Sequence, residues 1–186
     1  MNIQQIVKTA ELIPGWMTKA ELTYLAEQAS LHKQIVEIGC WKGRSTKALA
    51  MATKGIVFAV DNWYGEDDVP GDRDLLLFTE FSNNLAQETL ENKVYYNYKN
   101  NDVDSFFADT HPHSFDMIFI DGGHDYESVF RDCTYAFEFI EPGGLVCGHD
   151  AFNPDVKRAV IDVFAFFSIV PGTAIWYWNS EEGEGV

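Results

Sequence analysis

Residues 116–124 read Asp116-Met117-Ile118-Phe119-Ile120-Asp121-Gly122-Gly123-His124, and residues 145–150 read Leu145-Val146-Cys147-Gly148-His149-Asp150. Each is an apolar run that stops on a cluster of acid and histidine. Runs of this length without polar alternation fit central strands of a parallel sheet whose two faces are both covered by helices. In such sheets ligands lie outside the carboxyl ends of the strands. Asp121, His124, His149 and Asp150 are therefore expected to converge on the one edge where chemistry takes place.

The rest of the chain alternates to match. Thr18 and Glu21 have capping-box spacing and open a helix to about residue 30, after a short helix and a turn closed by Pro14-Gly15. Strands are expected at 34–38, 56–60, 94–98, 115–120 and 145–147. Helices are expected at 43–52, at 74–90, after Asp102, from the end of the fourth strand to about 140, and after Asn153-Pro154, where proline suits a first helical turn. An acidic loop spans 62–73, and Pro142-Gly143-Gly144 turns the chain into the fifth strand. This alternation predicts a Rossmann-like, doubly wound α/β fold. Two last apolar runs, 166–170 and 174–178, are joined by Pro171-Gly172. Strands that close cannot be linked by a parallel crossover, so they form an antiparallel hairpin at the edge of a mostly parallel, seven-stranded sheet. The whole chain, 1–186, reads as one domain, with an N-terminal helical cap over 1–32, a core over 34–178 and a frayed tail at 181–185.

Composition narrows the partners. With 46% hydrophobic and 15% aromatic residues, the chain predicts a packed globule rather than disorder. Its 29 acidic against 13 basic residues leave a net charge of −16. Such a body repels phosphate backbones and anionic lipid, which argues against nucleic acid and membrane surfaces as partners. No apolar stretch approaches the ~18 residues of a membrane helix, and the N-terminus lacks the order of a secretory signal. Cys40, Cys133 and Cys147 are scattered and form no C-x-x-C pair, so a reducing, cytoplasmic setting is expected.

Between the first strand and the next helix lies Glu37-Ile38-Gly39-Cys40-Trp41-Lys42-Gly43-Arg44-Ser45. Glycines permit tight dihedrals and close approach of a ligand, and the helix start beyond them offers free N–H groups to a carboxylate or phosphate. The spacing is G-x-x-x-G, not the G-x-G-x-x-G that packs a dinucleotide pyrophosphate, which disfavours a nicotinamide enzyme. Taken alone, the turn reads equally as a plain strand–helix connection. Asp61 ends the second strand, where a carboxylate grips ribose hydroxyls or simply caps a helix. Together with the glycine turn, it favours a nucleoside.

The combination of Glu37-x-Gly39-x-x-x-Gly43, Asp61, the run from Phe115 to Asp121-Gly-x-His124, and Pro142-Gly143-Gly144-x-x-x-Gly148-His149-Asp150 resembles class I S-adenosylmethionine-dependent methyltransferases. The family-24 branch is the nearest match; it is related to macrocin and mycinamicin sugar O-methyltransferases and to cephalosporin hydroxylase-like proteins. The resemblance spans about residues 34–178. It implies a core that binds S-adenosylmethionine, with Glu37, Gly39, Gly43 and Ser45 around the methionine part and Asp61 on the ribose. It further implies Asp102 near the adenine and Asp121 among the cofactor-binding residues, with Trp63 either beside the nucleoside or packed as a core aromatic. The aspartate followed three residues later by histidine, Asp121 to His124, resembles the metal aspartate and general base of the sugar O-methyltransferases. A Asp-Asn pair ends the fifth strand in catechol-type relatives, whereas here the pair is His149-Asp150.

Asp121 and Asp150 would end neighbouring strands about 5 Å apart, a separation that suits one cation. Hard oxygen ligands favour Mg²⁺, and nearby imidazoles leave Mn²⁺ or iron open. His149 reads equally as a ligand, an orienting neighbour or a helix cap, and Glu66, Asp67 and Asp68 lie in a loop within reach of the site. The bland reading is that Asp121 and Asp150 cap helices. His111 and His113 precede the fourth strand, at the wrong end of the sheet. His32 reads as surface, and Tyr95, Tyr96 and Tyr98 as strand packing. The leading expectation is O-methylation of a small hydroxyl-bearing molecule, a sugar among the candidates. An oxygenase of the cephalosporin hydroxylase type and a non-catalytic nucleoside-binding module are the alternatives. So short a chain leaves little to cover a substrate, which points to a partner or a homodimer.

Overall fold

Side chains along a strand alternate faces with a period of two, and here both faces are apolar. The structure, a computed structural model, describes residues 2–65, 75–96 and 102–179. In β1 (Gln34–Ile38) and β4 (Phe115–Ile120), Ile35, Met117 and Phe119 join one buried cluster, while Val36, Ile38, Ile118 and Ile120 join the other. This two-sided burial is why the strands read as continuous apolar runs. β2 (Ile56–Val60) pairs parallel with β1, β1 with β4, and β4 with β5 (Ile140–Gly148). With β3 (Val94–Tyr95), β6 (Ser168–Ile169) and β7 (Trp176–Asn179), the seven strands run in the order β3-β2-β1-β4-β5-β7-β6. The pairings of β7 with β5 and with β6 are antiparallel. The sheet is thus Rossmann-like, mostly parallel and closed by an antiparallel hairpin.

One face is covered by α1 (Ile3–Ala10), α2 (Lys19–Ala29) and α3 (Arg44–Ala52), together with Leu77 and Phe81 of α4 (Leu75–Asn84). The other carries α6 (Val103–Ala108), α7 (Tyr126–Phe139) and α8 (Pro154–Phe164). Helix starts follow their sequence signals. Thr18 and Glu21 form a reciprocal capping box, Asp102, Asp125 and Asn153 cap α6, α7 and α8, and Pro154 opens α8. None of the described helices is long and apolar enough to cross a membrane.

Three boundaries differ from expectation. The helix expected over 74–90 breaks at Leu85 into α4 and α5 (Ala86–Leu90), and the break seats the buried Leu85 side chain in the space beside Gly43. The fifth strand begins at Ile140, which pairs with Phe115. A register shift between Phe115 and Met117, with Gly143 at φ 81°, absorbs Pro142-Gly143-Gly144 as an irregularity within the strand rather than a turn before it. In the hairpin, strand pairing is confined to Ser168 with Tyr177 and Ile169 with Trp176, shorter than the two expected runs, while Trp178 and Asn179 pair with β5. Residues 97 and 98 of the expected third strand lie outside the described residues, as do Glu66, Asp67, Asp68 and the tail from 180.

Candidate active site

Strand order reverses between β1 and β4, which opens a crevice at their carboxyl ends. Backbone hydrogen bonds carry the ladder one residue past the strands. Gly39 N donates to Val60 O (2.8 Å), Asp121 N to Ile38 O (2.7 Å) and His149 N to Ile120 O (3.0 Å). Gly39, Asp121 and His149 are therefore neighbours along one edge. Gly39 has φ +85°, and a Cβ there would collide with the Asp121 backbone; Gly43 has φ +88°, and its Cβ would collide with Leu85. Both glycines are required by close approach as well as by dihedral.

Asp61 shapes the turn. Its Oδ2 accepts from Cys40 N (2.7 Å) and Trp41 N (2.9 Å), and its Oδ1 accepts from Trp63 N (2.7 Å). Burial raises its pKa, opposed by those three N–H bonds. Glu37 lies sealed beneath the turn, and neither carboxylate oxygen has a hydrogen-bond partner. Burial lifts it to about 7 despite the nearby Ser45, Thr46 and Cys40 groups that favour its charge. Gly43 caps α3 without a side chain, so no side chain satisfies the first N–H groups of that helix, and Ser45 lies in this first turn facing the cavity. Trp63 follows Asp61 into the core. It is 1% exposed and packs against Phe78 and Phe81 at 5.2 and 4.8 Å, the core-aromatic reading of the two left open by the sequence. Asp102 is exposed and caps α6, accepting from Ser105 N and Oγ at 2.8 Å each.

At the ends of β4 and β5 the acids and histidines meet. His124 Nε2 lies 3.0 Å from Asp150 Oδ2, and His149 Nδ1 lies 3.1 Å from the same oxygen and 3.7 Å from Asp121 Oδ1. Asp150 adopts φ 57°, a left-handed conformation that aspartate tolerates. Hydrogen bonds from His124 and His149 hold its carboxyl well below the usual carboxylate range. Asp121 moves the other way, to about 8, because burial and the Asp150 and Glu37 charges outweigh the attraction of the histidines. Donor atoms of Asp121, His124 and Asp150 all lie within 4.8 Å of one another. His124 thus joins Asp121 and Asp150 as a possible donor, beside His149, whose Nδ1 also lies within 4 Å of both carboxylates.

His149 is instead held from behind. Its Nε2 sits 3.2 Å from Glu21 Oε1, close but not aligned as a hydrogen bond. Burial works against protonation, but the Asp150 hydrogen bond and the charges of Asp121, Asp150 and Glu21 prevail and raise His149 to about 9. Glu21 was legible only as half of a capping box. In the fold its Oε2 accepts from Thr18 N and Oγ1, while Oε1 accepts from Ala174 N at 2.9 Å. One buried carboxylate thereby fastens α2, the hairpin and the acid–histidine edge.

The glycine turn and this edge share a single cavity of about 480 Å³, with Gly39, Cys40, Trp41 and Ser45 on one side and Asp121, His124, His149 and Asp150 on another. The segment between α1 and α2 supplies Gly15, Trp16 and Met17 to its wall, residues that no motif marked. Away from it, His113 Nδ1 bonds Ile140 O and His32 Nδ1 bonds Gln28 O. Tyr96 packs on Phe78 and Phe81, and Tyr95 is exposed.

Known proteins share this fold. A family model described as a methyltransferase domain, family 24, matches residues 36–151. An uncharacterised protein of Acanthamoeba polyphaga mimivirus is 26% identical over 138 residues, covering 70% of this chain; the match spans 58% of that curated relative's length. Among solved structures, an O-methyltransferase from Bacillus cereus in complex with SAH is similar, with TM-score 0.64, 16% identity, and coverage of 94% of this chain and 87% of that one. The O-methyltransferase TomG from Streptomyces achromogenes, involved in tomaymycin synthesis and in complex with SAM, has TM-score 0.62, 16% identity, and coverage of 94% and 86%. An S-adenosylmethionine-dependent O-methyltransferase from Thermotoga maritima has TM-score 0.64, 12% identity, and coverage of 95% and 70%.

Proposed function

Because this chain belongs to the family-24 methyltransferase-domain family, we propose that it transfers the methyl group of S-adenosylmethionine (SAM) to a hydroxyl of a small molecule, sugars among the candidates. The observation that carries this reading is the shared cavity. The glycine turn and the acid–histidine edge line one space, so a methyl donor on the turn and an acceptor on the edge would be adjacent.

The residues present fit the cofactor. The α3 N-terminus, without a side-chain cap, suits a carboxylate. The unpartnered Glu37 carboxylate beneath the turn supplies negative charge to a cationic ligand. A carboxylate has about four acceptor sites, and Asp61 uses three on backbone N–H groups, which leaves capacity for a ribose hydroxyl. Bound there, S-adenosylmethionine supplies an electrophilic methyl group.

His124 accepts the acceptor's hydroxyl proton. Asp150, kept ionised by its histidine partners, orients the imidazole at 3.0 Å and stabilises the imidazolium that results. His149, fixed between Glu21 and Asp150, holds Asp150 in place.

A second reading is favoured by one observation, the three donors within 4.8 Å. Two carboxylates on adjacent strand ends repel unless a proton or cation lies between them, and the raised pKa of Asp121 reflects that repulsion in part. Mg²⁺ or Mn²⁺ held by Asp121, Asp150 and His124 would relieve it and lower the pKa of a bound hydroxyl; His124 would then be a ligand rather than the base. The test is transfer of labelled methyl from S-adenosylmethionine to a panel of sugars and phenols, with and without chelator. Transfer that survives chelation supports His124 as base, loss of transfer supports the ion, and no transfer to any acceptor contradicts the proposed activity.

A further inference from the structure

We propose that Trp16, stacked on Trp41, is the platform on which the methyl acceptor lies, so that the acceptor presents a ring with one apolar face beside its reacting hydroxyl. This deepens the methyltransferase reading and rests on it.

Trp16 is 62% exposed, an unusual position for the largest apolar side chain in a folded chain. Yet it is held. Its ring centroid lies 4.3 Å from that of Trp41, with 37° between the planes. The flanking backbone is gripped by Arg44, whose Nη1 donates to Gly15 O at 2.9 Å and approaches Ile13 O at 3.4 Å. Gly15 is pressed so closely on this side chain that a Cβ would come within 2.7 Å of Arg44 Cδ. On the other side Met17 is buried. The segment is therefore fastened to the start of α3, while the indole between its anchors is left uncovered.

Trp41 repeats the pattern from the opposite direction. It has φ 42°, a left-handed conformation unfavourable to a bulky residue, and Asp61 holds it there through its N–H. Backbone strain of this kind concentrates at ligand sites. Both indoles line the cavity that also contains Asp121, His124, His149 and Asp150. One wall is thus flat and apolar, and another is acid and imidazole. That pairing matches a molecule with an apolar ring face and a hydroxyl on its rim. A phenolic ring offers such a face through its π-system, and a pyranose through its C–H groups. Trp63 provides the contrast: just past β2 and 1% exposed, it packs as core.

The test uses the full chain saturated with S-adenosylhomocysteine (SAH), the demethylated product, and titrates catechol and methyl β-glucopyranoside by calorimetry. Wild type should bind one of the two, and which one distinguishes a phenolic from a sugar acceptor. Trp16→Ala should weaken that binding by about tenfold, whereas Trp16→Phe should keep it within about threefold. Leu12→Ala, an exposed residue on the same segment, should change nothing. Thermal midpoint and SAH affinity should be the same in all variants, which separates a platform from a structural role. Unaltered probe binding by Trp16→Ala overturns the proposal, as does wild-type protein that binds SAH but neither probe. Failure of SAH to bind at all removes the methyltransferase reading, and the platform with it.

Discussion

Glu37→Gln should make the protein more stable and its cofactor binding weaker. Glu37 is fully buried and neither carboxylate oxygen is hydrogen-bonded, so ionisation in the folded state is costly. Burial moves the carboxyl from 4.5 to about 7. At about 1.4 kcal/mol per pH unit, that displacement amounts to about 3 kcal/mol. The sign follows from the raised folded value. Below pH 4.5 the group is neutral in both states and the contribution is fully present. As pH rises towards 7 the unfolded chain ionises first, and stability falls. Above 7 the full loss remains. Glutamine keeps the shape without the charge, so the variant should match wild type near pH 4.5 and exceed it by about 3 kcal/mol at pH 7.5. For a chain of this size that is about 6–12 °C in thermal midpoint. Urea unfolding of both proteins at intervals from pH 5 to pH 8 measures the difference directly. The same variant should bind S-adenosylmethionine less tightly, since the negative charge beneath the turn is gone. Equal stability of the two proteins at pH 7.5, or an advantage that does not vary with pH, would refute the reasoning.

Other outcomes follow from the site. Asp61→Ala removes the acceptor of three backbone N–H groups, two of them in the glycine turn, and should cost on the order of 1–3 kcal/mol in SAH affinity by calorimetry. His124→Ala should lower turnover on a genuine acceptor by about 10²–10⁴-fold with SAH affinity unchanged; full turnover would move the base elsewhere, with His149 next in line. His149, raised from 6.5 to about 9, contributes stability that is complete below pH 6.5 and lost as pH rises through 9. Melting curves from pH 6 to pH 10 should show that alkaline decline, and His149→Gln should flatten it. A crystal soaked in Mn²⁺ should give an anomalous peak among Asp121, His124 and Asp150 if the ion reading holds, and an empty site at saturation would exclude it.

Much of this architecture was legible because strand burial on two faces writes itself as apolar runs. Met117 to Ile120 and Leu145 to Cys147 could be little else, and their acidic ends marked the edge. The glycine turn was legible because Gly39 and Gly43 take positive φ, a demand that the sequence meets with glycine whatever packs against it. Features set by tertiary contact were not. The break at Leu85 coincides with that side chain's packing beside Gly43, and the strand irregularity at Gly143 accompanies a register shift against β4. Trp63 and Trp16 have the same side chain and opposite burial, and only the packing of Phe78 and Phe81 distinguishes them. Glu21 announced a capping box correctly, but its second oxygen meets His149 and Ala174, more than a hundred residues away in sequence.

The central claim is that the glycine turn and the acid–histidine edge form one methyl-transfer site. Calorimetric titration of the wild-type chain with SAH, beside NAD as a control dinucleotide, tests it most directly. The expected result is one-to-one binding of SAH that weakens in Asp61→Ala, and no heat with NAD. Tight NAD binding with no heat from SAM or SAH would contradict it.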